Sequence, residues 1–315
     1  MKRLLILVSS AVLLAACSKD DCNDSPAPDN NAIAISAIME NMVPKTRTTD
    51  DGTNAAWVTN DVVGLFCAQS NPVAANDQFT YSGSAWNPAT TLYWSDYTTL
   101  HKFYAYAPYA SGNTVSAVAI PVLNAQTGTI SSAQNILFSN NLDAGINKGS
   151  NNGSAPLIFK HALSLIQLNI VIDNSVPAGT KLSSAVITGQ VADALSTSAT
   201  GATLNIVSGA ITNGSAASNS VTVTPASPVT LSTTAVTLNV LILPATATPN
   251  LIINSTFPDT TTGNATVLMG TSVAYAQGTK YAYTVTVSRN AITITNMTIT
   301  PWTSSGPPTP INPVL

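Results

Sequence analysis

Few side chains in the sequence could serve as the acids, bases or nucleophiles of an enzyme. Histidine is the commonest catalytic base, and the chain has two, His101 and His161. Glu40 is the single glutamate, whereas most glycosidases need two carboxyl groups across a cleft. The aspartates are scattered through predicted turns, where we expect them to bend the backbone.

Motifs of the common enzyme classes are missing from the sequence. It contains no Gly-x-Ser-x-Gly elbow, no Gly-x-x-x-x-Gly-Lys phosphate loop and no His-Glu-x-x-His zinc pair. We expect no enzyme, no metal and no cofactor, and interpret both histidines as hydrogen-bonded strand residues.

The N-terminus carries the one motif with a defined covalent chemistry. The apolar run Leu4 to Ala16 follows a short basic region, and it has the layout of a secretory signal, being shorter than the roughly 20 residues of a membrane span. Leu14-Ala15-Ala16-Cys17 resembles the lipobox of bacterial lipoproteins. The resemblance implies cleavage between Ala16 and Cys17 and acylation of Cys17, and two or more acyl chains hold a protein in a membrane. A soluble secreted protein with a chance cysteine is the alternative.

The residues after Cys17 extend this prediction. Ser18 to Asp21 include two consecutive aspartates, an arrangement similar to the surface-export signal of Bacteroidetes lipoproteins. We therefore predict a signal peptide at 1–16, a lipidated tether at 17–31, and a protein anchored in the outer membrane and exposed at the cell surface.

The composition argues for a large core and a weakly charged surface. Hydrophobic residues make up 45% of the chain and charged residues 8%, against roughly 25% charged in an average globular protein. The net charge of −3 and the missing basic stripe argue against nucleic acid as a partner. Low charge also reduces the repulsion between copies, which suits a subunit that stacks.

Two further cysteines leave an open question. Cys22 lies in the tether and Cys67 in an apolar run. A buried, inert Cys67 is the favoured interpretation, and a Cys22–Cys67 disulfide is the alternative. The spacing fits no zinc site.

Short apolar segments with a period of two predict strands throughout the chain. The run 162–172 is expected to be one long strand, with His161 at its head and a β-bulge where its apolar parity changes. The clearest hairpin turns at Ser288-Arg289-Asn290 and is expected to bulge at Asn296-Met297. The length and spacing predict two β-sandwiches in tandem, at 32–155 and 156–302, and a proline-rich tail at 303–315.

Aromatic residues crowd into the first half of the chain. Large rings there either fill the core of the first sandwich, which we favour, or form a surface patch that binds glycans. The residues concerned are Trp57, Tyr81, Trp86, Tyr93, Trp94, Tyr97, Tyr104, Tyr106 and Tyr109.

One ordered series of motifs runs through nearly the whole chain after the tether. Its members are Thr46-Arg47-Thr48, Trp57, Asn60 to Phe66, Phe79-Thr80-Tyr81, Trp86, Leu92-Tyr93-Trp94, Phe103 to Tyr109, Phe159 to Ser164, Leu243-Pro244-Ala245, Tyr281, Tyr283, Ile299 and Trp302. The series resembles the fimbrillin-like proteins of Bacteroidales, the type V pilins and Mfa-like fimbrial lipoproteins.

The resemblance implies two transthyretin-like (Ig-like, Greek-key) β-sandwiches and a structural or adhesive role in a fimbria. In stalk subunits of the family an arginine-specific protease cuts after an arginine behind the first strand, and a strand of a neighbouring subunit replaces the one that leaves. Arg47 matches that position, behind the predicted first strand Ile33 to Ile38. A solvated loop arginine without such a role is the equal alternative.

The sequence also leaves the identity of the donor strand undecided. Proline cannot donate to a sheet ladder, so the tail 303–315 is a poor donor, and Ile292 to Ile299 is the other candidate. A tip, accessory or anchor subunit would accept a strand and give none. The expected partners are other fimbrial subunits, the outer membrane through the lipid anchor, and a glycan or protein on a host or bacterial surface. The alternative function is a surface glycan-binding lipoprotein.

Overall fold

The computed structural model describes residues 31–40, 57–121, 123–189, 202–213, 220–289 and 291–302. In these residues the regular secondary structure is β-strand, apart from one 3-10 turn at Lys148–Ser150. The prediction of an all-β protein is confirmed. In those same ranges, no helix has the length and apolar character needed to cross a membrane.

The strands are short and follow one another closely. In the first half they are β1 (Ala34–Met39), β2 (Val62–Cys67), β3 (Ala74–Tyr81), β4 (Trp86–Pro88), β5 (His101–Ala107), β6 (Val118–Ala119), β7 (Ala125–Gln126), β8 (Leu137–Ile146) and β9 (Ser154–His161). In the second half they are β10 (Ser164–Ile172), β11 (Lys181–Gly189), β12 (Thr203–Leu204), β13 (Ile211–Thr212), β14 (Ser220–Val223), β15 (Val229–Thr230), β16 (Val236–Ile242), β17 (Ala245–Ala247), β18 (Pro249–Thr256), β19 (Thr262–Leu268), β20 (Val273–Tyr275), β21 (Thr279–Val287) and β22 (Ile292–Pro301).

The first half forms a seven-stranded sheet in the order β1-β9-β8-β5-β2-β3-β4. Its two ends meet just beyond β4, where the Ile33 amide donates to the Leu92 carbonyl at 2.8 Å and Ala32 pairs with Tyr93. Alternate side chains of each strand point to one face. In the curled sheet these side chains fill a first core that includes Val63, Leu65, Phe79, Trp94, Phe103, Leu157 and Phe159.

The second half contains two sheets that share one core. A sheet of order β16-β10-β21-β22 lies opposite a sheet of order β19-β18-β11-β14-β7, with β15 also pairing with β11. Their inner faces meet in a buried cluster, the sandwich core, which draws on both sheets. It includes Ile166, Leu168, Ile170, Leu182, Ile187, Leu251, Ile253, Tyr283 and Val285. This is the face-to-face packing of a β-sandwich.

A third buried cluster joins the two halves. It takes Phe66, Tyr106 and Phe138 from the seven-stranded sheet and Leu165 and Leu241 from the four-stranded sheet. Short strands reinforce the connection, since β6 pairs with β12 and β7 pairs with β14. The buried Gln126 amide binds the backbone of Leu241 on both sides, donating to its carbonyl at 2.8 Å and accepting from its N–H at 2.9 Å.

The third cluster explains why the expected bulge in 162–172 is wrong. The register between β10 and β16 runs without a shift from Ser164 to Ile170. Leu165 is buried because it faces the third cluster, whereas Ile166 faces the sandwich core. Both faces of β10 are covered, so the change of apolar parity needs no bulge. His161 is the last residue of β9 and does not begin this strand.

The predicted terminal hairpin is confirmed as β21 and β22. Its register shifts so that Thr284 pairs with Asn296 and Val285 with Ile294. Thr295 is therefore the extra residue, and the bulge lies one position before the predicted Asn296-Met297.

The division into domains at 32–155 and 156–302 stays a prediction, as does the transthyretin-like topology of each. The strand β9, Ser154–His161, spans the expected boundary and pairs with both β1 and β8.

The third cluster leads to a test of its contribution to stability. Leu165 is fully buried, whereas Leu268 on β19 is 46% exposed. Leu165→Ala should lower the free energy of unfolding by about 2–5 kcal/mol, because it removes buried methyl groups and leaves a cavity. Leu268→Ala should change it by about 0.5 kcal/mol or less. Urea denaturation of both variants checks this, and equal losses would show that the cluster does not hold the halves together.

Candidate functional site

The first strand of the protein lies at an open edge of its sheet. β1 pairs with β9 in parallel, from Ala34 opposite Ser154 to Met39 opposite Phe159. Within the part of the chain that the structure describes, β9 is the only strand in ladder contact with β1. On its other edge, residues 32 and 33 bond to residues 92 and 93, and no strand of the described residues forms a ladder with the rest of that edge.

Alternate side chains of this segment close the first core. Ile33, Ile35 and Met39 are 4%, 7% and 7% exposed, whereas Ile38 on the opposite face is 57% exposed. Burying one such side chain stabilises a fold by about 1.5–3 kcal/mol. The three apolar contacts therefore contribute several kcal/mol to holding the strand, more than the net contribution of a few exchanged hydrogen bonds, each about 1 kcal/mol.

Aromatic rings surround the end of β9 where β1 finishes. The Trp57 ring contacts both Trp86 and Phe159 edge-on, with centroid distances of 5.0 Å each. Tyr81 packs on Trp86 at a centroid distance of 5.0 Å as well. The Nε1 atom of Trp57 is buried and finds no hydrogen-bond partner in the part of the chain that the structure describes. These contacts make a rigid apolar wall beside the last residues of β1.

The preference for core filling by the tryptophans is confirmed. Trp86 and Trp94 are 9% and 1% exposed, and Trp94 Nε1 donates to the Gly153 carbonyl at 3.2 Å. The exposed rings of this half include Tyr93 and Tyr97, at 41% and 62%. Neither Trp86 nor Trp94 can present a flat face to a sugar.

A cavity of about 150 Å³ lies where the ends of β1, β9 and β22 converge. Its lining includes Glu40, Lys160, Gln277 and Trp302. Trp302 is 3% exposed, and its Nε1 atom is buried and has no hydrogen-bond partner among the described residues. An unsatisfied buried donor costs about 1–3 kcal/mol, so this indole is a point where a supplied acceptor would stabilise the protein.

His161 holds the Trp302 ring in place. The two rings stack at a centroid distance of 3.6 Å and an angle of 7°, and the His161 Nδ1–H donates to Asn135 Oδ1 at 3.0 Å. Burial lowers the pKa of His161 to about 3, so the imidazole is neutral at physiological pH. Its environment supports a packing role.

His101 is likewise built into the strand framework. It is fully buried, with Nδ1 at 2.9 Å from the Thr99 carbonyl and Nε2 accepting from the Ser95 amide at 3.1 Å. The prediction that both histidines are hydrogen-bonded strand residues is confirmed.

Asp96 holds the backbone of its turn, as predicted, whereas the expectation of a turn is wrong for Asp77, which lies in β3, and for Asp143, which lies in β8. Asp96 Oδ1 accepts from the Thr98 and Thr99 amides at 2.7 and 2.6 Å. These hydrogen bonds, the one from the Thr99 hydroxyl first, hold the pKa of Asp96 well below its usual range. In the described part of the chain, no group of three or more His, Cys, Asp or Glu residues could hold a metal ion.

Several predicted site residues lie outside the described residues: Ala16, Cys17, Cys22, Arg47 and the tail 303–315. Cys67 is a buried free thiol, and burial raises its pKa. The candidate donor segment Ile292 to Ile299 belongs to β22, which pairs with β21 along its length and lies at the edge of its sheet.

The cavity was not anticipated from the sequence. Its residues come from four chain segments, 39–40, 159–161, 277–278 and 301–302. The available signals were Trp302 and the Phe159-Lys160-His161 run, but nothing in their spacing indicates that they meet.

The described residues form an all-β protein of several sheets, with its first strand at the end of the seven-stranded sheet. The chain belongs to the fimbrillin-like family, whose sequence model matches residues 46–302. The resemblance inferred from the ordered motifs is thereby confirmed.

Individual relatives agree with this assignment. The "Putative fimbrium subunit Fim1C" of Bacteroides uniformis is 25% identical over 316 residues, covering 95% of this chain and 94% of that protein. A crystal structure of a "putative cell adhesion protein" from Bacteroides uniformis has a TM-score of 0.57 at 19% identity, covering 87% of this chain and 99% of that one. Another from Bacteroides ovatus has a TM-score of 0.53 at 17% identity, covering 87% and 98%. These structures share the fold.

The edge strand leads to a test with two isoleucines. Ile35→Ala should lower the free energy of unfolding of the β1 region by about 2–4 kcal/mol, whereas Ile38→Ala, on the exposed face, should change it by about 0.5 kcal/mol or less. Amide hydrogen exchange of residues 33–39 measures this directly. Equal exchange rates in the two variants would contradict the assignment of the buried face.

His161 leads to a prediction about acid stability. Between about pH 6.5 and the folded-state pKa of about 3, the unfolded chain binds a proton that the folded protein does not. Stability therefore rises with pH across this window and falls on acidification, by up to about 1.4 kcal/mol per pH unit. Urea denaturation at several pH values should give a flatter curve for His161→Asn. Curves of identical slope would show that His161 does not titrate in this way.

Proposed function

We propose that this fimbrillin-like protein is a subunit of a cell-surface fimbria, and that it accepts a strand of a neighbouring subunit in the place of β1. The observation that carries the proposal is the position of β1 in the described structure. It has one ladder neighbour, β9, its other edge is bonded to residues 92–93 just before the strand begins, and its alternate side chains close a core. Membership of the family supports the fimbrial role.

Arg47 is the proposed processing site. It lies between Glu40, which follows β1, and Trp57, which packs against the first core. A cut after Arg47 would separate the strand from the rest of the chain, while Trp57 would stay with the body. The strand would then be held by non-covalent contacts alone, and another strand could compete with it.

Removal of β1 would expose two surfaces at once. The edge of β9 would lose its main-chain partner, and the core would lose Ile33, Ile35 and Met39. Exposed apolar surface and an open edge both favour capture of a new strand, with main-chain hydrogen bonds for strength and side-chain pockets for selection.

The donor of this fibre is either β22 or the tail 303–315. β22 lies at a sheet edge, and most of its side chains after Ile292 are exposed, including Ile299 at 54%. The four prolines of the tail make it a weak ladder strand. A chain that accepts a strand and gives none would serve at a tip or as an accessory subunit.

We further propose that the chain reaches the surface as a lipoprotein acylated at Cys17, and that its role is structural and adhesive, with no catalytic activity. The lipobox-like tetrad Leu14-Ala15-Ala16-Cys17 supports the anchor.

The processing step is tested with an arginine-specific protease. The purified chain without its signal peptide should be clipped at Arg47, and the clipped protein should assemble into oligomers visible by size exclusion and electron microscopy. Arg47→Ala should remain intact at that position and monomeric. Arg289→Ala is the matched control, because Arg289 lies in the turn between β21 and β22, and it should be clipped at Arg47 and assemble like the unaltered protein.

The acceptor role is tested separately by adding a labelled peptide of residues 31–40 to the clipped protein. Saturable binding is expected. Clipped protein that stays monomeric would rule out the stalk role, and clipped protein that also fails to bind the peptide would rule out strand acceptance altogether.

A further inference from the structure

The cavity beside the end of β1 is lined in part by polar side chains, which the groove that β1 occupies does not need in order to hold a strand. It adjoins the last residues of the strand, Met39 and Glu40, and it is completed by Gln277, Pro301 and Trp302 from the second half of the chain. A strand that takes the place of β1 would therefore end against both halves of the protein.

The main chain fixes which residue of a strand faces this cavity. The Glu40 amide donates to the Phe159 carbonyl at 2.6 Å, which continues the β1–β9 register by one residue beyond Met39. Glu40 therefore lies beside Lys160, the residue that follows Phe159. Neighbouring side chains on one face of a sheet interact, and opposite charges are favoured there.

The groups that would stay after β1 leaves are donors. Lys160 is a cation that forms no ion pair within the described residues; its ammonium lies over the Phe138 ring, 4.7 Å from the centroid. Trp302 brings a buried indole N–H without a partner. His161, which stacks on Trp302, is neutral and acts as a support. The one carboxyl group in the lining, that of Glu40, would leave with the strand.

We infer that this cavity is a polar recognition site for an incoming strand of a second subunit. It lies at the end of the groove that β1 would leave, and it selects a strand that carries an acidic side chain directly after its last buried apolar residue. The inference rests on the proposed strand exchange and specifies the partner's sequence. The β1–β9 register places this carboxylate beside the Lys160 side chain.

The test uses the clipped full-length protein and C-terminally amidated peptides of residues 31–40, so that residue 40 carries the only added charge. We expect Glu40→Lys to weaken binding by about tenfold, as measured by fluorescence anisotropy, and Glu40→Gln to weaken it less. Ser36→Lys is the matched control: Ser36 lies on the same face of β1, but its partner is Pro156. Its effect should stay within about threefold.

Two changes in the body of the protein complete the test. In Lys160→Glu the order should reverse, so that the Glu40→Lys peptide binds more tightly than the native one. Trp302→Phe keeps a ring to stack on His161 and leaves Lys160 unchanged, so the order of the peptides should stay that of the unaltered protein.

The outcomes separate the two proposals. If every peptide binds with the same affinity to all three proteins, strand exchange stands and the recognition site is overturned. If Ser36→Lys weakens binding as much as Glu40→Lys and Lys160→Glu does not reverse the order, the site is also overturned. If the native peptide itself does not bind, both proposals fail.

Discussion

The pairing of β1 with β9 is the contact on which the behaviour of this protein depends. Main-chain hydrogen bonds to a single neighbour set the position of the strand, and the burial of Ile33, Ile35 and Met39 supplies most of the stabilisation. Neither contribution is peculiar to this strand, because main-chain bonding is independent of sequence and the apolar contacts require only matching alternation. The core is therefore closed by an element that another chain could replace.

The remainder of the molecule does not share this dependence. The sandwich core and the cluster that joins the halves include no residue of the first strand. Leu165 and Leu241 bind the four-stranded sheet to the seven-stranded sheet, and the buried Gln126 ties the backbone of the same region. Loss of β1 would thus leave two of the three buried clusters complete, and the opened groove would sit on a firm support.

Much of the fold could be predicted from the sequence, because period-two alternation is a local signal. The terminal hairpin follows from it, whereas the strand at Val62 to Phe66 follows from its continuous apolar run and the burial of Trp94 from the size of its ring. The error at 162–172 arose because alternation reports one buried face, whereas β10 is covered on both. Gly64 shows a further limit: a side chain there would come within 2.3 Å of the Tyr106 ring, a contact that no local pattern reveals.

The candidate site was predictable only in part. Position along the chain suggested that the segment from Ile33 would be the first strand, and the buried alternation confirms its inward face. The cavity could not be foreseen, because residues near 40, 160, 277 and 302 meet only through the complete topology. The meeting of strand ends that are far apart in the sequence leaves no periodic pattern from which it could be predicted.

The parallel orientation of β1 and β9 has a consequence for any assembly built on it. A strand that enters in the same register has its N- and C-terminal ends fixed relative to the acceptor. Every contact between subunits would then have the same orientation, so the filament would be polar, with two different ends. In the proposed fibre, new protomers would add at one of these ends, and a protomer that gives no strand would cap it.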